Sequence, residues 1–304
     1  MTLEKHTAGI DRRGFLKLMA AGAAATPLAL AGCGSSQQAA ETAEAATTET
    51  AADITGAKLT FVGDDAFAPY RYLEVQSDGS QKVVGLDIAI ADEMASRLGF
   101  TYDFEPQEFA ATLASVQSND TSFTMAMSAN EEREQTYDFT RGYYQPLVGV
   151  LTMNDEVKKV EDLKGKSIAC TTGTVQNKFI AAVLPDADIH TYDGGDQCLQ
   201  EVLAGRIDAY LCDGAEGQSM RDANEGLVLG LLERAETKDY VGVYRVMATK
   251  GANFVGAFDA CIAEMLADGT IDSYIGQYVG EDFEWNGDTS ASGQPTTGVV
   301  TSAN

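Results

Sequence analysis

An arginine and an aspartate, far apart in the chain, could together hold a small molecule that carries both a carboxylate and an ammonium group. Arg133 has a planar guanidinium whose donors match the two oxygens of a carboxylate. Asp213 closes an apolar run typical of a buried strand, and its carboxylate could accept hydrogen bonds from an ammonium. A site for such a zwitterion needs a cation and an anion that face each other, and these two residues would supply them.

Backbone N–H groups could add to the carboxylate half of this site. Ser128 precedes Arg133 on a predicted strand-end loop and offers both a backbone N–H and a hydroxyl group. Gly173, Thr174 and Val175 open a predicted helix, whose free N–H groups and positive dipole end favour an anion. The pattern therefore predicts an anion site to which two separate segments contribute.

Each of these residues also has a purely structural interpretation. Arg133 could form a surface ion pair with Glu131 or Glu132. Asp213 could be the N-cap of the helix that begins after it. Gly173-Thr174 could be a plain turn followed by a cap, and there capping and ligand binding are compatible. The residues alone leave these alternatives open.

The segments that would carry these residues alternate between strand and helix. Apolar residues at helical spacing, followed by Gly99 in the position of a C-terminal cap, predict a helix over 86–98. Short β-rich runs predict strands over 58–63, 102–104, 122–127, 146–153, 166–171, 187–191, 207–212 and 241–249. Further helices are predicted over 108–116, 174–184, 197–204 and 215–223, with a final helix over 253–267.

The alternation falls into two series of about 90 residues each. Repeated strand–helix units predict an α/β fold, with parallel sheets and helices on both faces. Extended segments near 144–150 and 240–244 would connect two such lobes. We therefore predict one lobe from residues 57–146 plus 243–285 and another from 147–242, with a ligand cleft between them at the carboxyl ends of the strands.

Residues 1–32 have the organisation of an export signal. Paired arginines within 11–17 precede an apolar run of about 14 residues, 18–31, which is shorter than the ~20 residues that span a bilayer. The arginine pair resembles a twin-arginine signal. Leu30-Ala31-Gly32-Cys33 resembles a lipobox, whose cysteine becomes the lipidated N-terminus. An ordinary amphipathic helix with a buried cysteine is the alternative.

Two further segments lack the apolar patterning of a folded domain. Residues 33–56 are acidic and contain one large apolar residue, Ile54, so we predict a flexible tether. Residues 286–304 are similarly unpatterned, and we predict a disordered tail. The folded body is thus expected near 57–285.

The composition argues against several classes of protein. The chain has 46 acidic and 21 basic residues, and the formal charge of −25 repels phosphate backbones, so we expect no nucleic-acid binding. It has two histidines and no CxxC or HExxH spacing, so we expect no metal site, no redox dithiol and no cofactor. Export permits disulfides, but we assign none among Cys170, Cys198, Cys212 and Cys261.

Four separated motifs, in order along residues 57–284, resemble one known family. They are Asp64-x-x-Phe67-Ala-Pro-Tyr70, Gly85-Leu-Asp-Ile-Ala, Ser128-Ala-Asn-Glu-Glu-Arg133 with Asp138-Phe-Thr, and Gly173-Thr-Val-Gln176 followed by Gly205-Arg-Ile-Asp-Ala-Tyr-Leu-Cys-Asp213. The family is the bacterial extracellular solute-binding proteins for polar amino acids, which supply ABC importers. The chain departs from the family pattern at Ala89, Ala126 and Asn130.

The resemblance implies a two-lobed α/β fold of the type II periplasmic-binding-protein class, with two crossover hinge strands. It implies that Arg133, Ser128, Thr174, Val175 and Asp213 hold the zwitterionic end of an amino acid. It also implies that Phe67 and Phe109 flank the side chain of the ligand and that Asp64 lies near the end of that side chain. The complete predicted site is Asp64, Phe67, Phe109, Ala126, Ser128, Arg133, Thr174, Val175 and Asp213.

The expected function is capture of a free amino acid by closure of the two lobes, followed by docking on an ABC transporter permease. We expect a monomer anchored to the extracytoplasmic face of the membrane through Cys33, and not an enzyme. A cyclohexadienyl dehydratase-like enzyme and a ligand-presenting sensor are the alternatives. Asp64 near the side-chain end would repel an acidic ligand, so a neutral polar or basic one is favoured. Arg71 could point toward or away from that end.

Overall fold

A computed structural model describes residues 52–280 of the chain. The predicted export signal, Cys33, the tether up to residue 51 and the tail 286–304 lie outside the described residues. Within 52–280, no helix is both long enough and apolar enough to cross a bilayer.

Strands and helices alternate along most of the described chain. The strands are β1 (Lys58–Gly63), β2 (Ala66–Phe67), β3 (Arg71–Val75), β4 (Gln81–Val84), β5 (Thr101–Pro106), β6 (Ser122–Ser128), β7 (Tyr137–Phe139), β8 (Val148–Thr152), β9 (Ser167–Thr171), β10 (Asp188–Tyr192), β11 (Ala209–Asp213), β12 (Val228–Leu231) and β13 (Tyr244–Thr249). The helices are α1 (Leu86–Leu98), α2 (Phe109–Ser118), α3 (Glu131–Glu134), α4 (Val175–Val183), α5 (Gly195–Leu203), α6 (Gly214–Ala223), α7 (Arg234–Thr237), α8 (Val255–Ala267) and α9 (Thr270–Tyr278), with a short 3-10 helix at Val160–Leu163.

The long periodic elements form where the sequence predicts them. Helix α1 spans the predicted residues 86–98, and Gly99 ends it in the left-handed conformation, with φ of 71° and its N–H bonded to the carbonyl of Ala95. The buried face of α1 includes Ile88, Ala91 and Met94, as its periodicity requires.

The two large sheets are mixed and not wholly parallel as predicted. In the first, the order is β5-β1-β6-β13-β7, with β1 parallel to β5 and β6 but β13 antiparallel to β6 and β7. In the second, the order is β10-β9-β11-β8-β12, with β8 antiparallel to β11 and β12. Strands β8 and β13 enter their sheets directly from the crossing segments. They therefore do not arise from the strand–helix–strand units that enforce parallel pairing, and both pair antiparallel with their neighbours.

Several short elements were absent from the sequence prediction. Strands β2, β3 and β4 form a small antiparallel sheet whose exposed face leaves Leu73 and Val75 in solvent. Helix α8 is not the final helix, because α9 follows it and buries Ile271 and Ile275. Gly269 separates these two helices with a left-handed backbone, φ 80°.

The first lobe, which we define by the sheet containing β1, has an aromatic core. Phe61 stacks on Phe123 with ring centroids 4.9 Å apart, and Phe258 of α8 meets Phe123 edge-on at 5.3 Å. Ile54, assigned to the tether by the sequence, is buried in this core, and Gly56 N–H bonds to the carbonyl of Gly99. The packed lobe therefore starts before residue 57, because the side chain of Ile54 and the backbone bond of Gly56 attach this segment to it.

The second lobe, defined by the sheet containing β9, packs smaller apolar clusters on its two faces. Cys170 and Cys198 lie on opposite faces of this sheet, and Cys212 lies with Cys198. These three cysteines, and Cys261 in the first lobe, are buried and free.

Two extended segments run side by side between the lobes. Tyr144 and Tyr244 form an antiparallel bridge, with Tyr244 N–H bonded to the carbonyl of Tyr144 at 2.6 Å. Tyr143 N–H bonds back to the carbonyl of Tyr244 at 2.8 Å. We call these two segments, 143–147 and 241–244, the hinge. The boundaries between the two lobes, at 146/147 and 242/243, remain a prediction.

Candidate functional site

A cleft of about 780 Å³, its open mouth included, lies between the two large sheets. It is bordered by the carboxyl ends of β1, β6, β9 and β11, the edge at which α/β sheets bind ligands. All nine predicted site residues line it: Asp64, Phe67, Phe109, Ala126, Ser128, Arg133, Thr174, Val175 and Asp213. The lining also contains residues that the sequence analysis did not select, among them Arg71, Gly195, Tyr210, Glu216 and Tyr244.

Arg133 is a buried cation in the wall of this cleft, 7% exposed. Asn130 caps α3 by accepting a bond from Arg133 N–H at 2.9 Å, which fixes the backbone of the arginine. The guanidinium donates to the carbonyl of Ser128 at 2.9 Å and lies 5.7 Å from the ring centre of Phe109. Burial lowers the pKa of Arg133.

Within residues 52–280, no carboxylate lies within ion-pair distance of Arg133. The alternative of a surface pair with Glu131 or Glu132 therefore fails, and Glu132 pairs with Lys178 of α4 instead. A buried cation without a carboxylate partner is costly unless an anion joins it. The site is thus suited to a ligand carboxylate.

The hydroxyl groups beside Arg133 are already used within the protein. Ser128 Oγ donates to the carbonyl of Gly242 in the hinge at 2.9 Å. Thr174 caps α4: its Oγ1 accepts from Asn177 N–H at 3.2 Å and donates to the carbonyl of Thr171 at 2.8 Å. The capping interpretation of Thr174 is therefore confirmed, and the first turn of α4 still borders the cleft and directs its positive dipole end toward it.

Asp213 is the N-cap of α6 and also lines the cleft, so its structural interpretation is confirmed as well. Its Oδ1 accepts from the N–H groups of Ala215 and Glu216 at 2.9 and 3.1 Å. Two tyrosine hydroxyls complete the set, from Tyr70 to Oδ1 at 2.8 Å and from Tyr244 to Oδ2 at 2.9 Å. Burial raises the pKa of Asp213 to about 6, against the effect of these hydrogen bonds.

The bond from Tyr70 to Asp213 joins the two lobes across 143 residues of sequence. The ring of Tyr70 is fully buried in the core of the first lobe. The ring packs edge-on against Tyr244 with centroids 5.4 Å apart and lies 5.9 Å from Tyr144. Asp213 is therefore tied both to the first lobe and to the hinge.

Arg71 lines the cleft, which decides the direction that the sequence left open. Its guanidinium forms a buried ion pair with Asp87, donates to the carbonyl of Asp64 at 3.2 Å, and lies 5.2 Å from the ring centre of Phe67. The carboxylate of Asp87 also accepts from Tyr143 at 2.7 Å. The positive charge of Arg71 is thus balanced within the protein.

Asp64 and Phe67 occupy the wall beside Arg71. Asp64 Oδ1 accepts from Ala66 N–H at 2.8 Å, and burial raises the pKa of Asp64. Phe67 stacks on Tyr70, with centroids 4.8 Å apart, and borders the cleft. This corner combines an aromatic surface with a carboxylate.

Ala126 has the left-handed backbone conformation, φ 57°, in the middle of β6. The pairing of β6 with β13 shifts register at this point, as a β-bulge does. The N–H of Ala126 donates to the hydroxyl oxygen of Tyr143 at 2.7 Å. A non-glycine residue in this conformation is uncommon and often marks a binding site.

Glu216 was missed by the sequence analysis although it lines the cleft. Its carboxylate accepts from the hydroxyl of Tyr210 at 3.2 Å and from Asp213 N–H at 3.4 Å, so the two acids form a capping box. Burial raises the pKa of Glu216 to about 8, and the charge of Asp213 adds to the effect. The available signal was a glutamate three residues after a predicted N-cap aspartate.

Two α/β lobes, a paired hinge and a cleft at the carboxyl ends of the strands define the type II class of periplasmic binding proteins. The chain belongs to family 3 of the bacterial extracellular solute-binding proteins, whose family model matches residues 59–281.

Relatives of known name are similar over part or most of their length. The probable amino-acid-binding protein YxeM of Bacillus subtilis is 29% identical over 149 residues, which is 47% of this chain and about half, 54%, of YxeM. The L-cystine-binding protein TcyJ of Escherichia coli is 26% identical and covers 66% of this chain and 76% of TcyJ. A solved amino acid ABC transporter substrate-binding protein of Streptococcus pneumoniae, bound to L-arginine, is 25% identical with a TM-score of 0.65, covering 72% and 92%.

Proposed function

We propose that the chain captures a free amino acid between its lobes and delivers it to the permease of an ABC importer. The observation that carries the proposal is Arg133, a buried cation with no carboxylate partner in the described part of the chain, in the same cleft as Asp213. The names of YxeM, TcyJ and the pneumococcal protein support an amino acid as the ligand. They do not favour the dehydratase-like enzyme or the sensor.

Closure of the lobes follows from how the site is divided. Arg133 belongs to the first lobe, whereas Asp213 and the amino end of α4 belong to the second. A zwitterion therefore makes both sets of contacts only when the lobes are together, which is the condition for a ligand to shift an open–closed equilibrium. Closure would bend the hinge at Tyr144 and Tyr244, and a monomer in the closed form would dock on the permease.

We expect arginine or glutamine to bind more tightly than glutamate, by about tenfold or more. The side chain of glutamate would bring a second carboxylate near Asp64, and like charges at short range repel. Calorimetric titration of the purified chain with arginine, lysine, glutamine, cystine, glutamate and aspartate tests both the class and the choice. A dissociation constant near micromolar, about −8 kcal/mol, is expected for the best ligand.

Competition between glutamate and arginine gives the decisive comparison. Tighter binding of glutamate would refute the position of Asp64 beside the ligand side chain, but would leave the amino-acid class standing. If none of these amino acids bound, the proposed function itself would be wrong. Prephenate and arogenate serve as controls for the enzymatic alternative, because turnover of either would show catalysis.

We also propose that the mature protein is lipid-anchored through Cys33, outside the described residues. The support is the Leu30-Ala31-Gly32-Cys33 sequence after a short apolar run. The Cys33→Ser chain should leave the membrane fraction or accumulate unprocessed, because serine cannot form the thioether to the lipid. Fractionation and electrophoretic mobility measure this. Unchanged membrane association and mobility would contradict the anchor, and Cys261→Ser is the matched control.

A further inference from the structure

The charges that line the cleft do not balance once the two ends of a zwitterion are placed. This step rests on the proposed function. Arg71 is already paired with Asp87, and Arg133 would take the ligand carboxylate while Asp213 takes the ammonium. Two acidic side chains of the lining, Asp64 and Glu216, then have no cation within ion-pair distance among residues 52–280. An excess of two acids in one cleft favours a ligand with a second positive group.

Glu216 is the more buried of these two acids and is held in one place. It is 7% exposed, and its oxygens are fixed by the hydroxyl of Tyr210 and the N–H of Asp213. Its Oε1 lies against Gly195, where any side chain would collide with both Glu216 and Tyr210. The glycine thus makes room for the carboxylate at the first residue of α5, beside the cleft.

We propose that Glu216 is a specificity-determining residue, whose carboxylate acts with Asp64 as the counter-ion of a second cationic group on the ligand. A capping box alone would not require the second acid to border the cleft, as Glu216 does. Asp64 approaches from the first lobe and Glu216 from the second, and the charge of Asp64 acts on Glu216. A cationic side chain between Asp64 and Glu216 would contact both lobes.

The titratable groups that act on Glu216 come from both lobes and are Asp64, Cys198, Tyr210, Cys212, Asp213 and Tyr244. Burial and the carboxylates of Asp213 and Asp64 raise the pKa of Glu216 to about 8, whereas the hydroxyl of Tyr210 and the N–H of Asp213 act in the opposite direction. The amino end of α5, at Gly195, also favours the anion. Near neutral pH Glu216 therefore retains its proton more readily than an ordinary glutamate, and a cationic ligand would expel that proton.

The sign of the pH dependence follows from this exchange. Expelling a proton becomes easier as the pH rises toward the pKa of Glu216, so affinity for arginine should increase by up to about tenfold per unit. Glutamine has no second charge and leaves that proton in place. Asp213, with a pKa near 6, acts on the ammonium of both ligands alike. The ratio of the arginine and glutamine affinities, measured from pH 6.5 to 8.5, therefore reports on the acids that face the second cationic group, Asp64 and Glu216. Loss of its pH dependence in a Glu216 variant assigns the effect to Glu216.

The test compares the full chain with its Glu216→Gln variant. Glutamine has the same shape and retains an acceptor for Tyr210. We expect the variant to bind arginine at least about tenfold more weakly and glutamine within about threefold of the original, with an affinity ratio that no longer changes with pH. Glu161→Gln, which removes an exposed carboxylate of the second lobe, should change neither.

Equal losses for arginine and glutamine would overturn the proposal and leave Glu216 as a capping residue only; no loss for either would overturn it too. If the variant fails to fold, proton release by the unaltered chain decides the matter. Calorimetry in two buffers of different ionisation enthalpy should then show release with arginine and not with glutamine at pH 7. Equal proton release with arginine and glutamine would refute the proposed role of Glu216. An unaltered chain that binds other amino acids of the panel but neither of these two would overturn the role of Glu216. One that binds none of the six would instead refute the proposed function.

Discussion

The Arg133→Ala chain should bind its amino acid about 30- to 4000-fold more weakly than the unaltered chain, with its fold intact. The substitution leaves the carboxylate of the ligand buried without its cation, and such a loss costs about 2–5 kcal/mol. The amino end of α4 would still contribute its dipole, so some residual affinity is expected. Calorimetry with the best ligand of the panel measures the change.

Stability should respond far less than affinity, because Arg133 has no carboxylate partner among residues 52–280 to leave unpaired. Its removal gives up one bond to the carbonyl of Ser128 and the contact with Phe109. The affinity of the Arg133→Lys chain should lie between those of the unaltered chain and the Arg133→Ala chain, since lysine retains the charge but not the bidentate geometry.

Arg206→Ala is the matched control, because Arg206 forms an exposed ion pair with Glu201 away from the cleft. It should leave affinity unchanged. A loss of tenfold or less in the Arg133→Ala chain would mean that Arg133 does not contact the ligand carboxylate.

Local signals in the sequence were sufficient for the long elements and for the residues at strand ends. The apolar spacing of 86–98 and the position of Gly99 define α1 because both act within a few residues of one another. The nine predicted residues meet in one cleft because parallel strands bring their carboxyl ends to a common edge. What each residue does there with a ligand remains a prediction.

Contacts between distant segments could not be read from the sequence. Nothing near Tyr70 indicates that its hydroxyl bonds to Asp213 in the other lobe. Likewise the direction of Arg71 depends on Asp87, which lies 16 residues further along the chain in the first turn of α1. The antiparallel strands β8 and β13 were misjudged because their direction is set by the hinge and not by a local pattern.

The ion pair between Arg71 and Asp87 is the place where a single substitution should destabilise the fold most. Both side chains are buried, with exposed fractions of 7% and 0%. The carboxylate also accepts from Tyr143, whose oxygen in turn accepts from Ala126 N–H. Asp87 thus connects a buried cation to the backbone of the cleft wall.

The Asp87→Ala chain should lose about 3–5 kcal/mol of unfolding free energy, because the charge of Arg71 would be buried without compensation. For a folded region of this size that lowers Tm by about 6–20 °C. Chemical denaturation and thermal unfolding, both at neutral pH, measure the two quantities. The Asp222→Ala chain, which removes the exposed pair with Arg221, should change the unfolding free energy by about 1 kcal/mol at most.

The physical cause can be separated from a simple loss of packing by removing both charges. In the Arg71→Leu/Asp87→Leu chain no buried charge is left unpaired, and apolar replacements of buried ion pairs are often tolerated. This double variant should therefore be more stable than the Asp87→Ala chain, even though it carries one more substitution. A double variant as unstable as Asp87→Ala would show that the hydroxyl of Tyr143, left without its acceptor in both chains, accounts for the loss. A single variant within about 1 kcal/mol of the original would show that Arg71 regains water through the cleft, where its charge would then be available to an anionic ligand.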